Sequence, residues 1–154
     1  MRTKVNWINK YHLEGETETG HFIHMDSAPA GEETKGPTPK ELLLQALAGC
    51  TMMDVSLILE KSRKHVDKFW IDVEADTAKE HPRVFTRIHL KYNLIGQDLD
   101  NKTVERAIEL SRERYCSIYG MLQENVDITY SYELFSIVDF INYVLEDAKA
   151  NEKV

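Results

Sequence analysis

The stretch TPKELLLQALAGCTMMDVSLIL, residues 38–59, contains the most hydrophobic segment of the chain, residues 42–59, and decides how the rest must pack. Thr38 suits the N-cap of a helix, Pro39 the first helical position, and Glu41 the third position of a capping box. The spacing therefore predicts a helix over 39–63. Because its centre is apolar on nearly all sides, we expect neighbouring elements to enclose it.

Cys50 lies near the middle of this predicted helix, and two interpretations of it are open. Cysteine packs well as a small hydrophobic residue, so Cys50 can simply fill space. It can also be a thiol held out of water for chemistry. The helix start is too distant to lower its pKa, burial would raise the pKa, and a charged Asp54 at i+4 would oppose a thiolate. A reactive Cys50 therefore needs a cation or donor from another element.

Length and charge limit the classes of protein. The chain has 154 residues, a net charge of −7 and no basic stripe, which predicts one domain without a nucleic-acid partner. Gln45, Asp54 and Ser56 interrupt the apolar segment, so we expect no membrane span there. The polar N-terminus lacks the apolar core of a signal peptide. We therefore expect a cytoplasmic protein whose two cysteines do not form a structural disulfide.

The remaining pattern predicts an α+β fold with antiparallel sheets. Alternating apolar residues indicate strands at 4–9, 21–25, 69–76, 84–95 and 126–134. A second helix is predicted from residue 99 or 100 to about 122, with Cys116 inside it. Apolar residues from Ile137 to Ala148 recur at helical spacing and predict an amphipathic C-terminal helix. Strands and helices do not alternate regularly, which argues against a parallel βαβ sheet.

No metal or cofactor site is predicted from spacing. Cys50 and Cys116 are 66 residues apart, which is neither a CxxC redox motif nor a zinc-ligand spacing. The six histidines form no pair with the cysteines at ligand spacing, and scattered histidines are most often surface or strand residues. Any one of them can be functional, and the sequence does not choose among them.

Three quoted segments together resemble one known family. GPTPKELLLQALAGCTMMDVSLIL, then RYCSIYGML and ITYSYEL, is similar to the OsmC and organic hydroperoxide resistance family, in its general OsmC-like branch. The resemblance covers residues 1–134, the predicted OsmC-like domain. The C-terminal helix, residues 135–154, extends beyond the usual family end as part of the same domain.

The resemblance implies a fold, a partner and a reaction. Family members are intertwined α+β homodimers with a long buried central helix from each chain and active sites at the interface. By motif match Cys50 would attack an organic hydroperoxide and become a sulfenic acid, which Cys116 would resolve as a disulfide. A dithiol reductant, of lipoyl type or another thiol, would reopen it, with no cofactor. This would be a thiol peroxidase in oxidative-stress defence, with a shared apolar interior that accepts bulky peroxides and protects the sulfenate.

The chain departs from the family pattern at the group that activates the thiol. In family members, a glutamate ten residues before the cysteine holds an arginine of the N-terminal hairpin against the thiolate. Here that position is Lys40, and Glu41 is nine residues before Cys50. Arg2 is the only arginine before Arg63. Glu41 is thus a candidate catalytic residue whose place in the capping box already explains it.

Two further interpretations compete with the peroxidase. In one, the apolar interface cavity holds a lipid-like or other small ligand, and the cysteines are vestigial or sense redox state. In the other, the protein is a redox sensor that uses its C-terminal helix to contact a partner. Packing of that helix on its own dimer is the simpler expectation.

Overall fold

The computed structural model describes residues 1–29, 31–136, 138 and 141, and divides into two compact units. The first unit is Met1–Ala46 and the second is Leu47–Val154. The predicted C-terminal helix lies outside the described residues except for Val138 and Ile141, which are helical. The proposed boundary at residue 134 therefore stays a prediction.

The first unit is built on a three-stranded antiparallel sheet. Strands β1 (Thr3–Asn9), β2 (His12–Thr17) and β3 (Phe22–Met25) pair in sequence order. The unit also contains the start of helix α1 (Pro39–Lys61). There the Thr38 hydroxyl accepts the Glu41 backbone N–H at 3.2 Å, and Glu41 Oε2 accepts the Thr38 N–H at 2.7 Å. The predicted capping box is confirmed.

Helix α1 spans Pro39–Lys61, two residues shorter at its end than predicted. Its buried residues form a single stripe, and other large apolar side chains stay exposed, including Met53 at 71% and Leu57 at 49%. Within one chain, neighbouring elements therefore cover α1 only along that stripe, and not on nearly all sides as expected. The stripe consists of Leu47, Ala48, Thr51, Val55 and Leu59.

By length and composition α1 is the one helix among the described residues that is apolar enough to cross a membrane. The core helix of a soluble protein meets the same criterion, and α1 carries Asp54 one turn beyond its middle. A charged carboxylate is costly at the centre of a bilayer. The apolar composition of α1 is therefore weak evidence for a membrane span.

The second unit contains a mixed three-stranded sheet. Strands β4 (Lys68–Thr77) and β5 (Phe85–Ile95) form an antiparallel pair, and β6 (Asp127–Phe135) pairs with β5 in parallel. The α+β class with a long helix is confirmed, whereas the expectation of antiparallel pairing throughout is wrong for β5–β6. A parallel neighbour needs a crossover, and residues 96–126 supply it with helices.

The crossover is not the continuous helix that the sequence predicts. Helix α2 (Asn101–Leu110) begins at the N-cap Asp100, whose carboxylate accepts the Thr103 N–H at 2.9 Å. A π-helical turn follows at Ser111–Tyr115, and helix α3 spans Ser117–Leu122. Cys116 lies between the two in an extended conformation, so its predicted place inside a helix is wrong.

We expect Gly96→Ala to lower the free energy of unfolding by about 1–3 kcal/mol, because the added methyl group overpacks the place where the backbones of Gly96 and His65 approach each other. A Cβ at Gly96 would collide with the backbone carbonyl of His65 and lie 2.9 Å from a methyl of Leu99. Gly120→Ala is the matched control, since nothing lies within 4 Å of its added Cβ in α3. The control should gain about 0.5–1 kcal/mol from helix propensity.

Urea unfolding at one protein concentration measures both variants. An unfolding midpoint for Gly96→Ala equal to that of the wild type would contradict the close crossing at Gly96.

Candidate active site

The fold of the second unit brings the two cysteines together, although 66 residues separate them in sequence. The sulfurs of Cys50 and Cys116 and a carboxylate oxygen of Asp54 all lie within 4.8 Å of one another. Both cysteines are free thiols, Cys116 being buried and Cys50 half-buried. Cys50 and Asp54 share a face of α1 because residues four apart lie one turn above each other.

The π-helical turn places Cys116 in this cluster. The Cys116 N–H donates to the carbonyl of Ser111 at 2.8 Å, which closes the wide turn before the chain extends. Cys116 then becomes the N-cap of α3, and its sulfur accepts the Tyr119 N–H at 3.3 Å. A continued α-helix would have directed this side chain elsewhere, so the interruption at residues 111–115 positions the second thiol. Such π-helical insertions often occur at functional sites.

A chain of buried hydroxyl groups ends on Asp54. Ser111 donates to Asp54 Oδ2 at 3.0 Å, and Thr51 lies 2.9 Å from both the Ser111 and the Tyr92 hydroxyl. The single hydroxyl proton of Ser111 is donated to the carboxylate, so Thr51 must donate its proton to the Ser111 oxygen. The Tyr92 hydroxyl must then donate to the Thr51 oxygen. Burial raises the pKa of Tyr92 to about 12, which keeps the phenol neutral and able to donate. The network thus points every donor toward Asp54.

The surroundings of Cys116 keep its thiol in the protonated form. Burial raises the pKa of the Cys116 thiol to about 12, and a hydrogen bond with Cys50 and the charges of Cys50 and Asp54 act in the same direction. The Tyr119 N–H lowers the pKa of this thiol, but by less than burial raises it. Cys116 is therefore protonated at neutral pH, which disfavours it as the first nucleophile because thiolates, not thiols, attack.

Arg112 is a cation that the sequence did not single out, and it contacts Tyr119, whose N–H donates to Cys116 Sγ. Its guanidinium donates to the Tyr119 hydroxyl at 2.8 Å and to the Ile128 carbonyl at 3.3 Å, and it lies 4.7 Å from the Tyr130 ring centre. Among the described residues its Nε is the buried side-chain atom left without a hydrogen-bond partner. Its charge lowers the pKa of Tyr92, so it acts on the same network.

The other predicted candidates belong to the first unit. The Glu41 carboxylate accepts the N–H and the hydroxyl of Thr38, and these hydrogen bonds lower its pKa. Two of the histidines, His21 and His24, have partners within that unit, Thr19 and His12, at 2.9 and 3.0 Å. A catalytic role for Glu41 stays a prediction.

A groove of about 330 Å³ lies beside Asp54 in the second unit. Its wall is mostly apolar, and the charged Asp54 and Lys61 lie along one side of it on α1. It offers an apolar surface next to the carboxylate that lies within 4.8 Å of both sulfurs. The other lining residues are Leu57, Ile58, Ser62, Leu110 and Tyr115.

The sequence matches a family model described as OsmC-like protein over residues 31–131. This match includes both cysteines, Asp54 and the hydroxyl network, and it covers well over half of the chain. The chain is an OsmC-like protein. The family that its motifs resembled is thereby confirmed.

Relatives and solved structures agree with this membership. The OsmC-like chain is 39% identical to Protein YhfA of Escherichia coli K12 over 134 residues, which are 87% of this chain and 98% of YhfA. A hypothetical protein from Aquifex aeolicus VF5 is 27% identical and has a TM-score of 0.74, with 87% of this chain and 96% of that one covered.

A more distant structure carries a functional name. The organic hydroperoxide resistance protein OhrB of Bacillus subtilis is 17% identical, with a TM-score of 0.62 over 86% of this chain and 98% of that one. At this identity the likeness shows a shared fold.

Proposed function

We propose that this OsmC-like protein is a thiol-dependent peroxidase that reduces organic hydroperoxides in defence against oxidative stress. The observation that carries the proposal is the pair of free thiols within 4.8 Å of each other. Family membership supports it, because structural neighbours are named organic hydroperoxide resistance proteins. The apolar groove beside Asp54 suits the hydrocarbon part of such a substrate.

The proposed cycle has three balanced steps. The Cys50 sulfur attacks the peroxide, the O–O bond breaks, one oxygen stays on sulfur as a sulfenic acid, and the alcohol leaves with the thiol proton. The Cys116 thiol then attacks the Cys50 sulfur, which forms the disulfide and releases water. A dithiol, of lipoyl type or another kind, reduces the disulfide and becomes oxidised itself. The raised pKa of Cys116 fits the role of resolving thiol, because a protonated thiol does not attack the peroxide itself and is still present when the sulfenic acid has formed.

We further propose that two chains form a homodimer, which acts in the cytoplasm. The exposed apolar side chains of α1 in the second unit, Met53 and Leu57 among them, would be costly to leave in water. A second copy covering α1 would bury them. Free thiols this close to each other suit a reducing compartment.

The deciding experiment counts thiols by mass spectrometry after one equivalent of cumene hydroperoxide is added to the reduced protein. The wild type should form a Cys50–Cys116 disulfide, and Cys116→Ser should trap a sulfenic acid on Cys50. In a separate sample without peroxide, iodoacetamide alkylation of Cys50 shows that the attacking thiol is reachable. Two thiols left intact by peroxide, in a protein whose Cys50 alkylates readily, would refute the peroxidase and favour the ligand-binding alternative.

Closure of the disulfide should accelerate about tenfold for each pH unit between 7 and 9, because the thiolate is the attacking form. Burial, the largest cause of the raised pKa of Cys116, persists after Cys50 is oxidised, so the thiolate fraction stays small and rises with pH throughout this range. Stopped-flow tryptophan fluorescence after rapid sulfenic acid formation measures the rate. A rate independent of pH would contradict a protonated resolving thiol.

A further inference from the structure

The two-thiol cycle leaves one member of the cluster without a task. Asp54 lies within 4.8 Å of both sulfurs, yet neither the attack on peroxide nor the formation of the disulfide needs a carboxylate there. Among the described residues, Asp54 forms no salt bridge with a lysine, arginine or histidine. The charge of Asp54 raises the pKa of Cys116 and so opposes the thiolate that disulfide formation requires. A divalent cation would reverse this, since it attracts all three groups at once.

The three donor atoms suit a soft divalent metal. Thiolates and carboxylates bind Zn²⁺ in a tetrahedron with Zn–S near 2.3 Å and Zn–O near 2.0 Å, which separates the ligand atoms by about 3.5–3.8 Å. The present separations are at most 4.8 Å, so small side-chain rotations suffice. Cys50 and Asp54 belong to successive turns of α1, and Cys116 comes from the loop between the π-helical turn and α3. Three protein ligands leave the fourth position for water.

The surroundings already orient the carboxylate as a metal ligand requires. The Ser111 hydroxyl donates to Asp54 Oδ2 at 3.0 Å, and Thr51 and Tyr92 hold Ser111 in turn. This leaves the other carboxylate oxygen, Oδ1, for a metal. Groups hydrogen-bonded to ligands typically change metal affinity by about 10–100-fold when they are removed. The Tyr119 N–H to Cys116 Sγ, at 3.3 Å, supports a thiolate there.

We propose that Cys50, Cys116 and Asp54 together bind one thiophilic divalent cation, Zn²⁺ in particular, in the reduced protein. The spacing of the cysteines predicted no zinc site, because the fold rather than a short motif brings these ligands together. Binding releases the two thiol protons and stabilises both thiolates on the metal. The site does not depend on the proposed peroxidase. If the peroxidase proposal also holds, the metal shields the thiols, and their oxidation to a disulfide releases the metal.

Zinc titration of the reduced protein, without peroxide, tests the site. After removal of metal with a chelator, the wild type should bind one Zn²⁺ per chain in competition with a chromophoric chelator. Ser111→Ala should weaken binding about 10–100-fold, and Cys50→Ser, Cys116→Ser and Asp54→Asn should each weaken it further. Glu60→Gln is the matched control, because it removes one exposed negative charge from the same helix, and it should bind as the wild type does.

Co²⁺ provides a direct readout of the ligands. The wild type should give thiolate-to-cobalt charge-transfer bands and the intense visible bands of tetrahedral cobalt. Asp54→Cys, which replaces the oxygen ligand with a third sulfur, should increase the charge-transfer intensity by about half, since each thiolate contributes. This variant tests the site even where Asp54→Asn fails to fold.

Two results would overturn the proposal. One is a stoichiometry well below one Zn²⁺ per chain. The other is binding by folded Asp54→Asn equal to the wild type, or, where that variant does not fold, an Asp54→Cys spectrum without added charge-transfer intensity. Because no peroxide is present, these results differ from a failure of the peroxidase, which would leave zinc binding intact.

Discussion

Replacing Cys50 with serine should lower the rate of hydroperoxide turnover by on the order of a thousandfold or more, as removal of a nucleophile does in other enzymes. Serine keeps nearly the same size and can still hydrogen-bond to Cys116. A hydroxyl group, however, neither attacks a peroxide oxygen readily nor forms the sulfenic acid through which the cycle passes. The loss should therefore appear in the first chemical step. Steady-state consumption of cumene hydroperoxide with a dithiol reductant measures it.

Cys116→Ser should behave differently from Cys50→Ser in a single turnover. With Cys50 still present, each chain should consume one equivalent of hydroperoxide and then stop when no external thiol is supplied. Circular dichroism of both variants controls for folding. Turnover by Cys50→Ser within tenfold of the wild type would place the chemistry on another residue. Loss of the first equivalent in Cys116→Ser alone would reverse the two roles.

The features that the sequence predicted correctly depend on local patterns. The capping box at Thr38 and Glu41 involves residues three positions apart, so the sequence contains the whole motif, and the structure shows its hydrogen bonds. The alternation in 84–95 likewise predicts β5 almost to the residue. The same pattern does not predict which strands pair with each other. The order β4–β5–β6 with a parallel last pair depends on the crossover, which alternation does not encode.

The sequence alone predicts little of the site, because the site's contacts join residues that are far apart along the chain. Thr51 reaches residues 41 and 60 positions away, and Ser111 reaches Asp54 across 57 positions. From the sequence alone, Asp54 is expected only to oppose a thiolate at Cys50. The family resemblance predicted the pairing of Cys50 with Cys116, whereas residue spacing did not. No glycine or proline in residues 111–115 marks the π-helical turn that positions Cys116.

Replacing Thr51 with valine should lower the free energy of unfolding by about 2–3 kcal/mol, which is the cost of leaving buried polar groups without partners. Thr51 is 1% exposed and its hydroxyl joins Tyr92 to Ser111 at 2.9 Å on each side. Valine has nearly the same shape, so packing is preserved while the relay is cut. Tyr92 then loses its acceptor in the core, whereas Ser111 keeps Asp54 as its own acceptor.

A double-mutant cycle with Tyr92→Phe separates this relay from a general loss of packing. Tyr92→Phe alone should cost about 1 kcal/mol, the net worth of a typical hydrogen bond. The double variant should cost less than the sum of the two single ones by about 0.5–2 kcal/mol, because neither partner is then left unpaired. Thr51→Ser, which keeps the hydroxyl, is the control and should cost about 1 kcal/mol for the lost methyl group.

Urea midpoints at fixed protein concentration measure all four variants. Additive costs, or a Thr51→Val variant within 0.5 kcal/mol of the wild type, would show that the four groups from Tyr92 to Asp54 do not act as one network.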